Sequence, residues 1–254
     1  MDSSRYLECL DEDYSLFRDA AAAVDGGGPV PSCPGWTMDH LVRHLATVYL
    51  HKATVLRTGQ WPPDWPPRGL AKEPRLALLA RSYRELTAQL SAHGPATPAV
   101  TWYEPDETAG FWFRRMAQET VIHRIDAEQA AGLPPTHVPD DLAADGVDEV
   151  LTCFLAYFSP EAIAEMAGER LAGPDGAETI VVAAGAVSWT VRPLRSCEVS
   201  VQAGVHGQPQ ARVEGAPGPL LRWLWGRAGD DAVRVSGDRA WADYLRRMLT
   251  ATTQ

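Results

Sequence analysis

The chain has 254 residues, 45% hydrophobic and 22% charged, and its 33 acidic against 23 basic side chains leave a net charge of −10. This balance excludes disordered, collagen-like and disulfide-scaffold chains, and it lacks the basic field of a phosphate-backbone binder, so nucleic acid is not an expected partner. No apolar run reaches the roughly 18 residues of a membrane span, and MDSSRYLECLDEDY has no signal-peptide core; the expected location is the cytoplasm, with no membrane partner.

The length suits one large or two small domains. Residues 3–24 place Tyr6, Leu7, Leu10, Tyr14, Leu16 and Phe17 near a 3.6-residue period, which predicts a helix ended by Gly26–Gly28. A loop over Pro29–Gly35 follows. Thr37 then reads as an N-cap, with His40 at the third helical position and an apolar stripe of Leu41, Leu45, Val48 and Val55 to about Arg57. The segment GQWPPDWPPRG (59–69) is a loop, because proline removes donors and fixes φ. Further helices are expected over 73–93, 108–131 and 139–158, the second of these ending at Gly132. Four main helices joined by moderate connections suggest a bundle.

The texture changes from about residue 170. ETIVVAA, SWTVRP, CEVSVQA, QARVEG and AVRVSG read as short strands, with helices in PGPLLRWLWGR and DRAWADYLRRMLT. The fold class is therefore α+β, a helical bundle over 1–168 and a smaller α+β domain over 169–254, with the boundary in GERLAGPDGAE. No internal repeat and no glycine-rich phosphate loop is present. Cys9, Cys33, Cys153 and Cys197 form no CxxC pair; Cys9 and Cys153 read as small core residues. Of the basic residues only Lys52 and Lys72 are lysines.

The sharpest chemical signal is RRMAQETVIHRID. Glu119 and His123 are four apart on a helix, so both side chains meet on one face and suit a shared divalent metal. The plainer alternative is a simple Glu–His pair. A third ligand would come from His40, His44 or His51, of which His44 lies toward the apolar stripe. Three protein ligands with an open position is the arrangement of a catalytic metal. Asp126, three residues after His123, either orients a ligand histidine or pairs on the surface, and the surface pairing is the expected case. Trp61, Trp65, Trp102 and Trp112 bracket the loops near this helix; they suit a pocket wall, although large aromatics are usually core.

SCPGWTMDHLVRHL and FWFRRMAQETVIHRIDAE resemble the mycothiol-dependent maleylpyruvate isomerase family, within the DinB-like metal-binding four-helix proteins. WLWGRAGDDAVRVSGD resembles that family's SCP2-like C-terminal domain, so the likeness covers nearly the whole chain. The resemblance implies a divalent metal, usually zinc, held by His44, Glu119 and His123. It implies mycothiol as the thiol cofactor or cosubstrate, and a functional arginine for which Arg227 is the candidate. A cation-bound thiol is deprotonated, and the thiolate is the nucleophile. Cis–trans isomerisation of a maleylpyruvate-type substrate is the implied activity. Mycothiol S-transfer to an electrophile and a non-catalytic metal or small-ligand module are the alternatives. The expected partners are a small-molecule substrate and a low-molecular-weight thiol; the sequence does not read out the oligomeric state. Arg227 has its own alternative, a structural pair with Asp230.

Overall fold

Apolar spacing and capping together set the helices of the first half. In the computed structural model, which describes residues 1–158, 179–194 and 198–253, these are α1 (Ser3–Ala22), α2 (Met38–Thr58), α3 (Arg75–Ala92) and α4 (Ala109–Ala130). Asp2 caps α1 by accepting from the Arg5 amide. Tyr6, Cys9, Leu10, Asp13, Tyr14 and Phe17 then point one face of α1 into the core, against α4. α2 packs on α3 and on α4. Gly132, at φ 70°, closes α4: Leu133 donates to the Glu128 carbonyl and Gly132 to that of Gln129, the bond pair that a left-handed residue after a helix makes possible.

α4 is the interior helix. Almost every residue from Phe111 to Glu128 is buried, charged ones included. Arg124, with no exposed surface, donates from Nε to Asp13 (2.9 Å) and from Nη1 to Glu128 (2.7 Å) and the Thr136 carbonyl (2.8 Å). Thr136 returns two bonds to Glu128, from its amide at 3.1 Å and its hydroxyl at 2.6 Å. One guanidinium thus serves two buried carboxylates, and Glu128 is the better satisfied of the two.

Contacts divide the chain into two units, 1–136 and 137–254. The boundary expected at 168/169 lies outside the described residues. The helix expected over 139–158 is α5 (Asp140–Glu149), which continues as a wider π-type coil over Val150–Ala156. It packs within the second unit, against α6 (Pro217–Leu224), and accepts a 2.7 Å hydrogen bond at Asp148 from Trp189. The strands are β1 (Ile180–Ala184), β2 (Val187–Pro193), β3 (Val199–Ala203), β4 (Ala211–Gly215) and β5 (Arg234–Gly237), in the order β3-β2-β1-β4-β5. β1 is buried at every position, as a central strand must be, and pairs parallel to β4 with Val182 opposite Val213. The other pairings are antiparallel. α7 (Arg239–Thr252), capped by Asp238, buries Trp241, Leu245, Met248 and Leu249. The class is α+β, as expected. Among the described residues, no helix is long and apolar enough to cross a membrane.

Burial, opposed by Arg124 and reinforced by Glu128, raises the Asp13 carboxyl from 3.8 to about 6. A folded-state pKa above the unfolded one stabilises the fold at low pH, and that contribution is lost as pH rises from about 4 to about 6. Asp13→Asn, neutral and isosteric, should therefore flatten the stability profile across this interval. Urea midpoints measured from pH 4 to 7 check it: an unchanged slope in the variant places the titration elsewhere.

Candidate metal centre

The site grows from two helix faces. Thr37 starts α2 with a capping box in which His40 fills the role usually taken by Glu or Gln. The His40 amide donates to the Thr37 hydroxyl (3.4 Å), and His40 Nδ1 accepts from the Thr37 amide (3.2 Å). One turn on, His44 projects toward α4. Its Nε2 lies 3.1 Å from Glu119 Oε1, and His123 Nε2 lies 3.3 Å from the same oxygen. The three donor atoms are within 4.8 Å of one another. The sequence reading thus named three residues that the fold brings together.

Each donor is held from behind. Glu119 Oε2 accepts from Arg115 at 2.7 Å, leaving Oε1 turned to the two imidazoles. His123 Nδ1 is 2.9 Å from Asp126 Oδ2, so the carboxylate fixes the tautomer and presents Nε2 to the centre. Asp126 is fully buried, not on the surface as expected. Its Oδ1 accepts from Ser32 at 2.5 Å and its Oδ2 from Cys33 Sγ at 3.5 Å, which ties the SCPGW loop to α4. Trp36 of that loop packs on both imidazoles, with ring centroids 4.9 Å from His44 and 6.3 Å from His123.

The charges are strongly coupled. Burial alone would raise the Glu119 carboxyl, but His123, His44 and Arg115 outweigh it and hold the group well below its usual range. Burial likewise lowers His123, yet Glu119 and Asp126 overcome it and raise the imidazole to about 9. A proton on His123 therefore supplies the positive charge that two carboxylates demand. A divalent cation satisfies the same demand, and two imidazoles with one carboxylate are a donor set suited to zinc or its first-row neighbours. The fit is favourable. His44 is the most exposed of the three side chains at 36%, against 17% for Glu119 and 11% for His123, so the set has one accessible side.

That side opens on a cavity of about 730 Å³ lined by Trp36, His44, Val48, His51, Lys52 and Trp65 among others. This is the size of a small-molecule site. His51 does not join the donors: it lies between Trp61 and Trp65, at 5.7 and 4.7 Å. Trp112 is a core residue and Trp102 packs on Phe111. Arg227 lies in the other unit, half-buried, its Nη1 donating to the Trp225 carbonyl at 2.6 Å. Asp230, weighed as its partner, accepts from Trp223, Arg239 and Arg246. Sequence reasoning passed over Arg115, Ser32 and Lys52. The i,i+4 spacing from Arg115 to Glu119 was the available signal for the first.

Residues 7–128 match the family described as the mycothiol maleylpyruvate isomerase N-terminal domain, and residues 141–243 match the MDMPI C-terminal domain. Among solved structures, the crystal structure of the mycothiol-dependent maleylpyruvate isomerase shares the fold at a TM-score of 0.59 and 17% identity, over 93% of each chain. A histidine-to-alanine mutant of that isomerase superposes with the same figures. No protein of curated function shows significant sequence similarity to the chain.

The purified protein should bind about one divalent ion per chain, and His44→Ala and His123→Ala should each weaken binding severely. Asp126→Asn should weaken it roughly ten- to a hundredfold, as loss of a carboxylate behind a ligand histidine does. An ion must displace the His123 proton, so affinity should climb with pH toward about 9. Competition titrations over pH 6–9 check all of these; full occupancy in the His44→Ala, His123→Ala double variant overturns the donor set.

Proposed function

The chain belongs to the mycothiol maleylpyruvate isomerase family, and on that footing we propose that it is a divalent-metal enzyme that uses mycothiol to isomerise a maleylpyruvate-type cis double bond. The observation that carries the reading is the His44, Glu119 and His123 set with its one accessible side on a cavity. Zinc is the expected ion, and when bound it would supply the positive charge that keeps a thiol deprotonated at neutral pH.

The chain's own residues do the rest. His44, Glu119 and His123 would hold the ion. Asp126 keeps the His123 ring in the donor tautomer, and Arg115 keeps one Glu119 oxygen turned inward. Trp36 packs its ring against the two imidazoles. In the isomerisation, the mycothiol sulfur forms a bond to one alkene carbon, and the π electrons move onto the conjugated carbonyl as an enolate. The remaining carbon–carbon single bond rotates. The enolate then re-forms the double bond in the trans geometry and expels the thiolate, so no atom is gained or lost. Arg227 is proposed as a fork for a substrate carboxylate, a role that rests on the family likeness and on guanidinium geometry.

Mycothiol should support turnover and glutathione should support it poorly; equal rates with both would show that the thiol assignment is too narrow. A thioether product that accumulates in place of a trans isomer would make the protein an S-transferase. Arg227→Lys keeps the charge and loses the fork. It should leave metal content and melting temperature near wild type while turnover of an acidic substrate falls sharply. Unchanged kinetics, or an activity loss fully explained by lost stability, removes Arg227 from the site.

A further inference from the structure

Lys52 stands two helical turns beyond His44 on the same face of α2. Eight residues of α-helix rise about 12 Å, so the two side chains stand at different points along the cavity wall. Lys52 lines that cavity together with His44. Its Nζ lies 4.8 Å from the centroid of Trp112 and 5.4 Å from that of Trp61. It is 3.2 Å from His51 Nδ1. Every one of these neighbours is uncharged, because burial first, and Lys52 second, lower the His51 imidazole to about 4.

The other cation of the cavity wall is already engaged. Arg43 donates to Asp39 at 2.8 Å and to the carbonyls of Leu70 and Glu73 at 3.2 Å. Lys52, by contrast, has no carboxylate within ion-pairing distance among the described residues. Glu119 raises its pKa and Arg115 lowers it, and the Glu119 carboxylate is itself committed to Arg115, His44 and His123. A half-buried ammonium that meets only aromatic faces and an imidazole is incompletely compensated. An anion entering the cavity would complete it. The need is sharpened by a net charge of −10, which repels acidic substrates at long range and leaves their capture to local cations.

We propose that Lys52 is the carboxylate anchor of the cavity: it binds one carboxylate of an acidic substrate and so sets how far the reacting carbons lie from His44, Glu119 and His123. This deepens the isomerase reading and rests on it for the identity of the substrate, but not for the binding of a carboxylate. Trp61 and Trp112 hold the ammonium by their ring faces and leave its N–H groups for His51 and the ligand. Burial, against the pull of Glu119, brings Lys52 down to about 8, so it is still mostly cationic at neutral pH. The anchor binds substrate and takes no part in the proton or sulfur chemistry.

The test uses succinate, a dicarboxylate with no double bond to react, and succinamide, its uncharged analogue. Both are titrated into the full-length protein by calorimetry, with metal content measured in each sample. Succinate should bind and succinamide should not. Lys52→Met keeps the stem against the tryptophans and removes the charge; it should weaken succinate roughly ten- to a hundredfold, the worth of a charged hydrogen bond. Lys52→Arg should recover part of the loss. Binding should persist in His44→Ala, which separates the anchor from the metal. With a cis-dicarboxylate substrate, Lys52→Met should raise the substrate KM by a similar factor, lower kcat as the reacting carbons lose their placement, and leave the thiol KM near wild type. A chain that isomerises nothing, yet loses succinate with Lys52→Met, keeps the anchor and sinks the isomerase reading. Succinate binding that survives Lys52→Met in folded protein, or that disappears only with His44→Ala, overturns the proposal.

Discussion

The interior of the first unit depends on pairing charges that α4 takes out of water. Arg115, Glu119, His123 and Asp126 form one connected run, and Arg124, Glu128 and Asp13 form another. An isolated ion in such a place costs several kcal/mol, and removing one member of a buried pair typically costs about 3–5 kcal/mol. Each charge therefore dictates where its partners must be. Arg124 draws α1 onto α4 through Asp13, and Asp126 draws in the loop that carries Ser32, Cys33 and Trp36. The second run serves packing. The first meets its demand for positive charge with a proton on His123, which a divalent cation can replace, and that exchangeable charge separates a binding site from a structural network.

Much of this was legible in the chain. Helix positions followed from period and caps, and the fold class from the change to β-rich runs near residue 170. Glu119 and His123 were found by i,i+4 spacing, and His44 by its apolar neighbours. Asp126 departs from its sequence pattern for a specific reason. Sequence patterns assign polar residues to the wet face of a helix, and α4 has no wet face in its central stretch. Besides His123, two of the partners that make Asp126 tolerable inside, Ser32 and Cys33, lie more than ninety positions earlier, and no local pattern reports them. His40 is the opposite case. Thr37 at the cap and His40 three residues later already contained the capping-box geometry, which takes His40 out of the donor set.

Lys52 shows a third kind of limit. In the sequence it is one of two lysines, and a lysine on a helix is unexceptional. Its meaning comes from neighbours that lack charge: two tryptophans, one from a proline-rich loop and one from α4, and a histidine that stays neutral. An absence of compensation is a three-dimensional property. It becomes visible only after the other cation of the wall, Arg43, is seen to be engaged.

The division of labour between helices and loop has an evolutionary consequence. The donor atoms ride on α2, fixed by its capping box, and on α4, fixed by buried pairs, whereas Trp65 of the cavity wall comes from the segment 59–69, whose prolines restrict φ without help from the core. Substitutions in that segment can resize the far wall of the cavity while the donors keep their geometry. Mutational drift is thereby partitioned: the reactive end is under tight structural constraint, and the recognition end is open to variation at little cost in folding. A lineage built this way can reshape its cavity by editing one short loop.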